Sequence, residues 1–123
     1  MIIRRFDEQK EIVALDGTRV REFLNPKHDK THLHLTYSLA HASIAPGESS
    51  LPHRFFEASE VYYILRGRGI MHIDDETAEV GPGDTIYIPP LGIQSIENIG
   101  EENLDFLCVV DPAWHPDAEE LVE

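Results

Sequence analysis

Short runs of Val, Ile, Tyr, Phe and Leu recur along this chain, and turn-forming residues interrupt each of them. The breaks fall at Asp16-Gly17, Asn25-Pro26, Pro46-Gly47, Gly67 with Gly69, Asp74-Asp75, Gly81-Pro82-Gly83-Asp84, Pro89-Pro90, Asn98 to Gly100, and Asp111-Pro112. No segment carries a sustained helical period, so the pattern predicts an all-β domain. The expected strands are Ile12–Leu15, Arg19–Leu24, Leu35–Ile44, Leu51–Phe55, Glu60–Leu65, Ile70–Ile73, Thr77–Val80, Thr85–Ile88, Gln94–Glu97 and Leu104–Val110. Asp16-Gly17 suits a type I′ hairpin, in which both central residues take positive φ. Asp117 is a candidate cap for one helical turn over Ala118 to Leu121. So many short strands in a small chain imply a sandwich or jelly roll.

Composition narrows the functional classes. The 123 residues suffice for one hydrophobic core and fall near the size at which dimerisation aids stability. A formal net charge of −13 opposes binding to phosphate backbones, and the basic residues are too scattered to form a patch. No apolar run approaches a membrane span, and the start MIIRRFDEQK lacks the apolar core of a secretory signal. The single cysteine, Cys108, excludes an internal disulfide and suits a reducing cytoplasm, the expected location. The acidic runs Asp74 to Glu76 and Asp117 to Glu123 read as a solvated turn and tail.

The candidate chemistry lies in two stretches. GESSLPHRFFEASEVYYILRG, Gly47 to Gly67, carries His53 and Glu60 on neighbouring strands. Alternation puts His53 and Phe55 on one face, and Glu60, Tyr62 and Ile64 on another. GPGDTIYIPPLGIQSIEN, Gly81 to Asn98, places Gln94, Ile96 and Asn98 on a third face. If these faces turn inward, they line a largely apolar pocket with a few convergent polar groups, which suits a small ligand. A buried Glu60 would need a donor or cation, and His53 could supply one. Such a pair could act as general acid and base. Tyr62 shares the Glu60 face, and Asn98 suits the turn into Ile99-Gly100.

Other histidines and the cysteine have simpler readings. His32 and His34 would share a solvated or partner-facing strand face, and His72 would point away from a core formed by Met71 and Ile73. Cys108 reads as a small buried hydrophobe that could approach the pocket from the last strand.

These residues resemble a single-domain cupin. The first motif of that family, G-x5-H-x-H-x4-E-x6-G, is met by Gly47, His53, Glu60 and Gly67, with Phe55 at the second histidine. The second, G-x5-P-x-G-x2-H-x3-N, is met by Gly83, Pro89 and Asn98, with Leu91 at the glycine and Gln94 at the histidine. The resemblance spans about residues 35–110 and implies a double-stranded β-helix, a jelly-roll barrel. The N-terminal strands and C-terminal tail of the single domain 1–123 would pack on this core. It also implies a homodimer and a barrel-centre site for a small-molecule ligand. In metal-bearing members that site holds a divalent ion on three histidines and a glutamate.

Carried over, His53 and Glu60 remain as metal ligands, Gln94 could add a carbonyl oxygen, and Phe55 cannot ligate. With such a set, Mn, Fe, Ni or Zn and a metal-free pocket both stay open. Two functions follow: isomerase-, lyase- or decarboxylase-like action on a small polar or carboxylate substrate, with His53 and Glu60 catalytic, or binding of a sugar-like metabolite without turnover.

Overall fold

The computed structural model covers residues 1–123 and contains eleven strands and one short 3-10 turn, Phe6–Glu8. The strands are β1 Ile12–Val13, β2 Arg19–Leu24, β3 Ser38–Ile44, β4 His53–Phe55, β5 Ser59–Arg66, β6 Gly69–Ile73, β7 Glu76–Val80, β8 Thr85–Ile88, β9 Gln94–Asn98, β10 Leu104–Asp111 and β11 Glu119–Leu121. They form two antiparallel sheets, β1-β2-β3-β10-β5-β8 and β11-β4-β9-β6-β7. This is the expected jelly-roll barrel, with the alternating strands turning one face of each sheet toward the other.

The side chains between the sheets change size along the barrel, and this creates the cavity. At one end Ile44 pairs with Leu104 across β3 and β10, and Phe106 pairs with Ala42 and Ile64. These residues join Met71, Val80, Ile88, Ile96 and Tyr62 in one apolar cluster. At the other end the inward positions of β3 shrink to Ala40 and Ser38, opposite Cys108 and Val110. Small residues side by side on this part of the inner face leave the space between the sheets unfilled, so this end stays open. A second cluster, Phe55, Ala58, Val110 and Ala118 with Trp114 against it, closes its outer edge.

Most expected strands form within one or two residues of their predicted limits, but three local readings change. Residues after Asp117 make β11, which pairs with β4, instead of a helical turn. Residues 31–37 form no strand, and His32 and His34 are exposed with their rings edge to face at 4.7 Å. The hairpin at Asp16-Gly17 is not type I′: Gly17 alone takes positive φ, and its N–H donates to the Ala14 carbonyl. Asp16 therefore keeps an ordinary backbone conformation and turns its carboxylate inward, where Thr18 binds it through both its N–H and its hydroxyl. Gly67 does need its lack of a side chain: it has φ +90°, and a Cβ would lie 2.6 Å from the Asn103 carbonyl oxygen.

Candidate functional site

The open end of the barrel is a cavity of about 540 Å³, lined by Ala40, Ala42, Val20, Phe106, Trp114 and other mainly apolar side chains. His53, Phe55, Glu60 and Tyr62 also line it, as the sequence motifs lead one to expect. β4 and β5 bring them there. His53 and Phe55 are the two buried inward positions of β4, and Glu60, Tyr62 and Ile64 are the buried positions of β5.

His53 is held in a fixed orientation. Its Nδ1 lies 2.9 Å from the Leu51 carbonyl oxygen. A carbonyl only accepts, so Nδ1 carries a proton, and in the neutral ring Nε2 is the acceptor. A carboxylate oxygen of Asp16 lies 3.6 Å from the same Nδ1, beyond hydrogen-bond range. The Leu51 N–H donates to the Asp16 carbonyl, so one short segment positions both groups.

Glu60 is buried, and its Oε1 has no hydrogen-bond partner. Burial pushes its carboxyl well above the ordinary range. Glu119 and Asp16 add to the rise, and the Gln94 amide and Tyr62 hydroxyl offset part of it. The neutral acid is thereby favoured, which makes Glu60 a potential proton donor to whatever occupies the cavity.

Glu119 reaches the cavity from β11, where it pairs with Phe55 and shares its inward side. The neighbouring Glu120 points the other way and binds Arg54 at 2.7 Å. Burial raises the Glu119 carboxyl, with Asp16 contributing, while His53 and Trp114 oppose the rise. Cys108 also lines the cavity, but burial first, then the carboxylates of Glu60, Asp16 and Glu119, holds its thiol well above the usual range. It is therefore a packing residue and not an activated nucleophile.

Gln94 faces His53 across β4 and β9, as the motif alignment requires, and is almost wholly buried. Its Oε1 accepts the Tyr62 hydroxyl at 2.9 Å. It is not among the residues lining the cavity, and its carbonyl oxygen is already engaged. Phe55 occupies the second histidine position as part of an apolar cluster. No three His, Cys, Asp or Glu side chains converge to hold a metal ion. The residues present thus do not fit the four-ligand metal centre of the metal-bearing relatives. Asn98 does what its position suggests: its Oδ1 accepts the Gly100 N–H, and its Nδ2 reaches the Ile44 and Glu102 carbonyls.

Asp16 and Glu119 are the site residues missing from the sequence reading. Asp16 reads locally as a turn former and Glu119 as one carboxylate in an acidic tail. Only the pairing of β11 with β4 and the inward hairpin distinguish them.

Comparison with known proteins agrees with this geometry. A family model described as cupin domain matches residues 40–110. An uncharacterized protein of Methanocaldococcus jannaschii is 40% identical over 123 residues, covering 100% of this chain and 96% of that protein. An oxalate-binding protein of Thermotoga maritima is 32% identical over 83 residues, covering 68% of this chain and 64% of the relative. Among solved structures, a predicted oxalate decarboxylase of Thermotoga maritima superposes with a TM-score of 0.73 at 27% identity, covering 89% of this chain and 98% of that one.

Proposed function

Since this chain belongs to the cupin family, we propose that its barrel is a metal-independent site for a small molecule with an apolar body and a hydrogen-bonding head. The body would lie against Phe106, Trp114 and Val20, and the head would meet His53 and Glu60. The observation that carries this reading is the cavity itself, about 540 Å³ behind mainly apolar walls, with His53 and Glu60 among its few polar lining residues. With Nε2 of His53 as acceptor and Glu60 as a neutral donor, the pair is suited to moving a proton across the ligand, the step common to isomerisation and dehydration. Tyr62 and Gln94 act behind them as an orienting pair.

One relative described as an oxalate-binding protein and one as a predicted oxalate decarboxylase make oxalate a natural comparison. This cavity suits it poorly without a metal. Three acidic side chains, Asp16, Glu60 and Glu119, surround His53, and the one lysine at the rim, Lys10, is exposed, so no fixed cation faces the cavity to pair with a dianion. A dianion would be repelled.

The reading extends to a homodimer, supported by the edge strand β1, whose Ile12 and Val13 are exposed together with Leu15. Light scattering on the eluting species tests it.

The experiment for the site is a ligand-observed NMR screen of chelator-treated protein against small metabolites. Hits should weaken in His53→Ala and in Ala40→Phe, which fills the cavity. A screen whose hits bind both variants as well as the parent would remove the reading; turnover assays on confirmed ligands would separate catalysis from binding alone.

A further inference from the structure

Resting on the metal-free cavity reading, we propose that the body of the ligand is a flat aromatic ring system with its polar groups at one end, and that Trp114 selects for it. A sugar, polar on every side, is excluded.

Most polar side chains of the lining are already taken up by partners inside the protein. Tyr62 gives its hydroxyl to Gln94 at 2.9 Å, and the Ser38 Oγ accepts the Trp114 N–H at 3.0 Å. Thr18 gives its hydroxyl to Asp16. Glu22 accepts the Asn25 amide at 2.9 Å and lies 2.7 Å from Nδ1 of His28. Tyr62, Ser38, Thr18, Glu22 and His28 all line the cavity, so these groups have little left to offer a ligand. The remaining capacity gathers around His53. Its Nε2 makes no bond within the protein, Asp16 stands 3.6 Å from its ring, and Glu119 reaches in from the strand paired with β4. Elsewhere a ligand meets Val20, Ala40, Ala42, Val110 and Phe106, whose side chains carry no polar atom. A pyranose here would give up the water around its outlying hydroxyls and find nothing in its place, at a cost that rises with each group.

The apolar part of the lining favours an aromatic body over an aliphatic one. Four rings reach the cavity from four segments: Phe55 from β4, Tyr62 from β5, Phe106 from β10 and Trp114 from the stretch after β10. β4 belongs to one sheet, β5 and β10 to the other, so rings approach from both. β3 adds only Ser38, Ala40 and Ala42, which leave room beside them. A well-placed aromatic pair adds about two- to tenfold in affinity beyond the area it buries.

Trp114 is fixed in place from outside the barrel. Its N–H goes to Ser38, its carbonyl accepts the Asn25 amide at 2.9 Å, and the His28 ring meets its own edge to face at 5.8 Å. Next to it, Ala113 gives its N–H to the Thr36 carbonyl at 2.9 Å and accepts the Lys27 ammonium at 2.8 Å. A ring ordered before the ligand arrives needs no further ordering on binding, so it can discriminate by shape. Trp114 also lies outside residues 40–110, the part that matches the family model, so the family pattern does not account for it.

The test uses the chelator-treated full chain and three probes, 2-phenylethanol, 2-cyclohexylethanol and methyl glucoside, titrated by NMR. The emission of Trp114, the single tryptophan, reports occupancy of the cavity. The aromatic alcohol should bind and shift that emission. The glucoside should bind at least about a hundredfold more weakly, the loss expected when two or more hydroxyls go unpaired. Trp114→Leu removes the ring and keeps the backbone contacts. It should lower the ratio of phenyl to cyclohexyl affinity about two- to tenfold, a comparison in which the greater hydrophobicity of the saturated ring cancels. Phe106→Leu should lower the same ratio and carries the test if Trp114→Leu fails to fold. An unchanged ratio in Trp114→Leu, or in Phe106→Leu should the first not fold, would overturn the proposal. Glucoside binding as tight as that of the aromatic alcohol, with a shift of the Trp114 emission, would leave the cavity reading standing and remove this one. If no probe binds, both fall.

Discussion

The carboxylate of Asp16 stands 3.6 Å from Nδ1 of His53, while that nitrogen spends its proton on the Leu51 carbonyl at 2.9 Å. The contact joins a residue of the N-terminal hairpin to the first histidine of the barrel motif. The neutral His53 should therefore be the Nδ1–H tautomer, read from long-range proton–nitrogen correlation spectra. Asp16→Ala should destabilise the fold by roughly 1–3 kcal/mol in urea unfolding, because it strands the buried N–H and hydroxyl of Thr18. Asp16→Asn, which keeps an acceptor, should cost less.

Glu60 predicts a pH-dependent stability. Its carboxyl is raised in the folded protein by burial and by Glu119 and Asp16, so the folded state holds a proton that the unfolded chain releases first. Stability then falls as pH rises from the ordinary carboxyl range up through the raised value, and the penalty is absent below that range. Glu60→Gln should match the parent near pH 4 and exceed it by about 1 kcal/mol or more at pH 8. Thermal melts of both proteins across this range measure the divergence; parallel curves would contradict it.

Tyr62 and Gln94 form a buried pair, the hydroxyl donating to Oε1 at 2.9 Å. Tyr62→Phe removes that donor with little change of shape. The expected loss is about 1–2 kcal/mol in unfolding experiments, together with weaker ligand binding, since both Glu60 and Gln94 lose a neighbour that orients them.

Leu91 stands where the second motif has glycine, and its backbone has φ 67°. That conformation costs a non-glycine residue about 1–2 kcal/mol, while glycine carries an entropy cost of about 0.5–1 kcal/mol. The side chain is 54% exposed and recovers little by packing. Leu91→Gly should thus stabilise the protein by roughly 0.5–1 kcal/mol, visible as a small rise in Tm.

The strands and the motif residues were legible because they follow from alternation and spacing. His53, Phe55, Glu60 and Tyr62 meet at the cavity because β4 and β5 each turn every second residue inward. Gln94 meets His53 because the register between β4 and β9 aligns them. Asp16 and Glu119 were not legible. A carboxylate before glycine looks like a turn former, and Glu119 differs from Glu120 only in which side of β11 it occupies, which β4 decides. The cavity too depends on strand pairing: register sets Ala40 and Ser38 of β3 beside Cys108 and Val110 of β10 on one inner face, and no single strand reveals that.

Metal content tests the central claim most directly. Protein purified without an affinity metal, then incubated with Mn, Fe, Ni or Zn and desalted, should retain far less than one ion per chain by elemental analysis. The double variant Phe55→His with Gln94→His, which restores the two missing imidazoles beside His53 and Glu60, should retain close to one. Near-stoichiometric metal in the parent chain, lost in His53→Ala, would contradict the account.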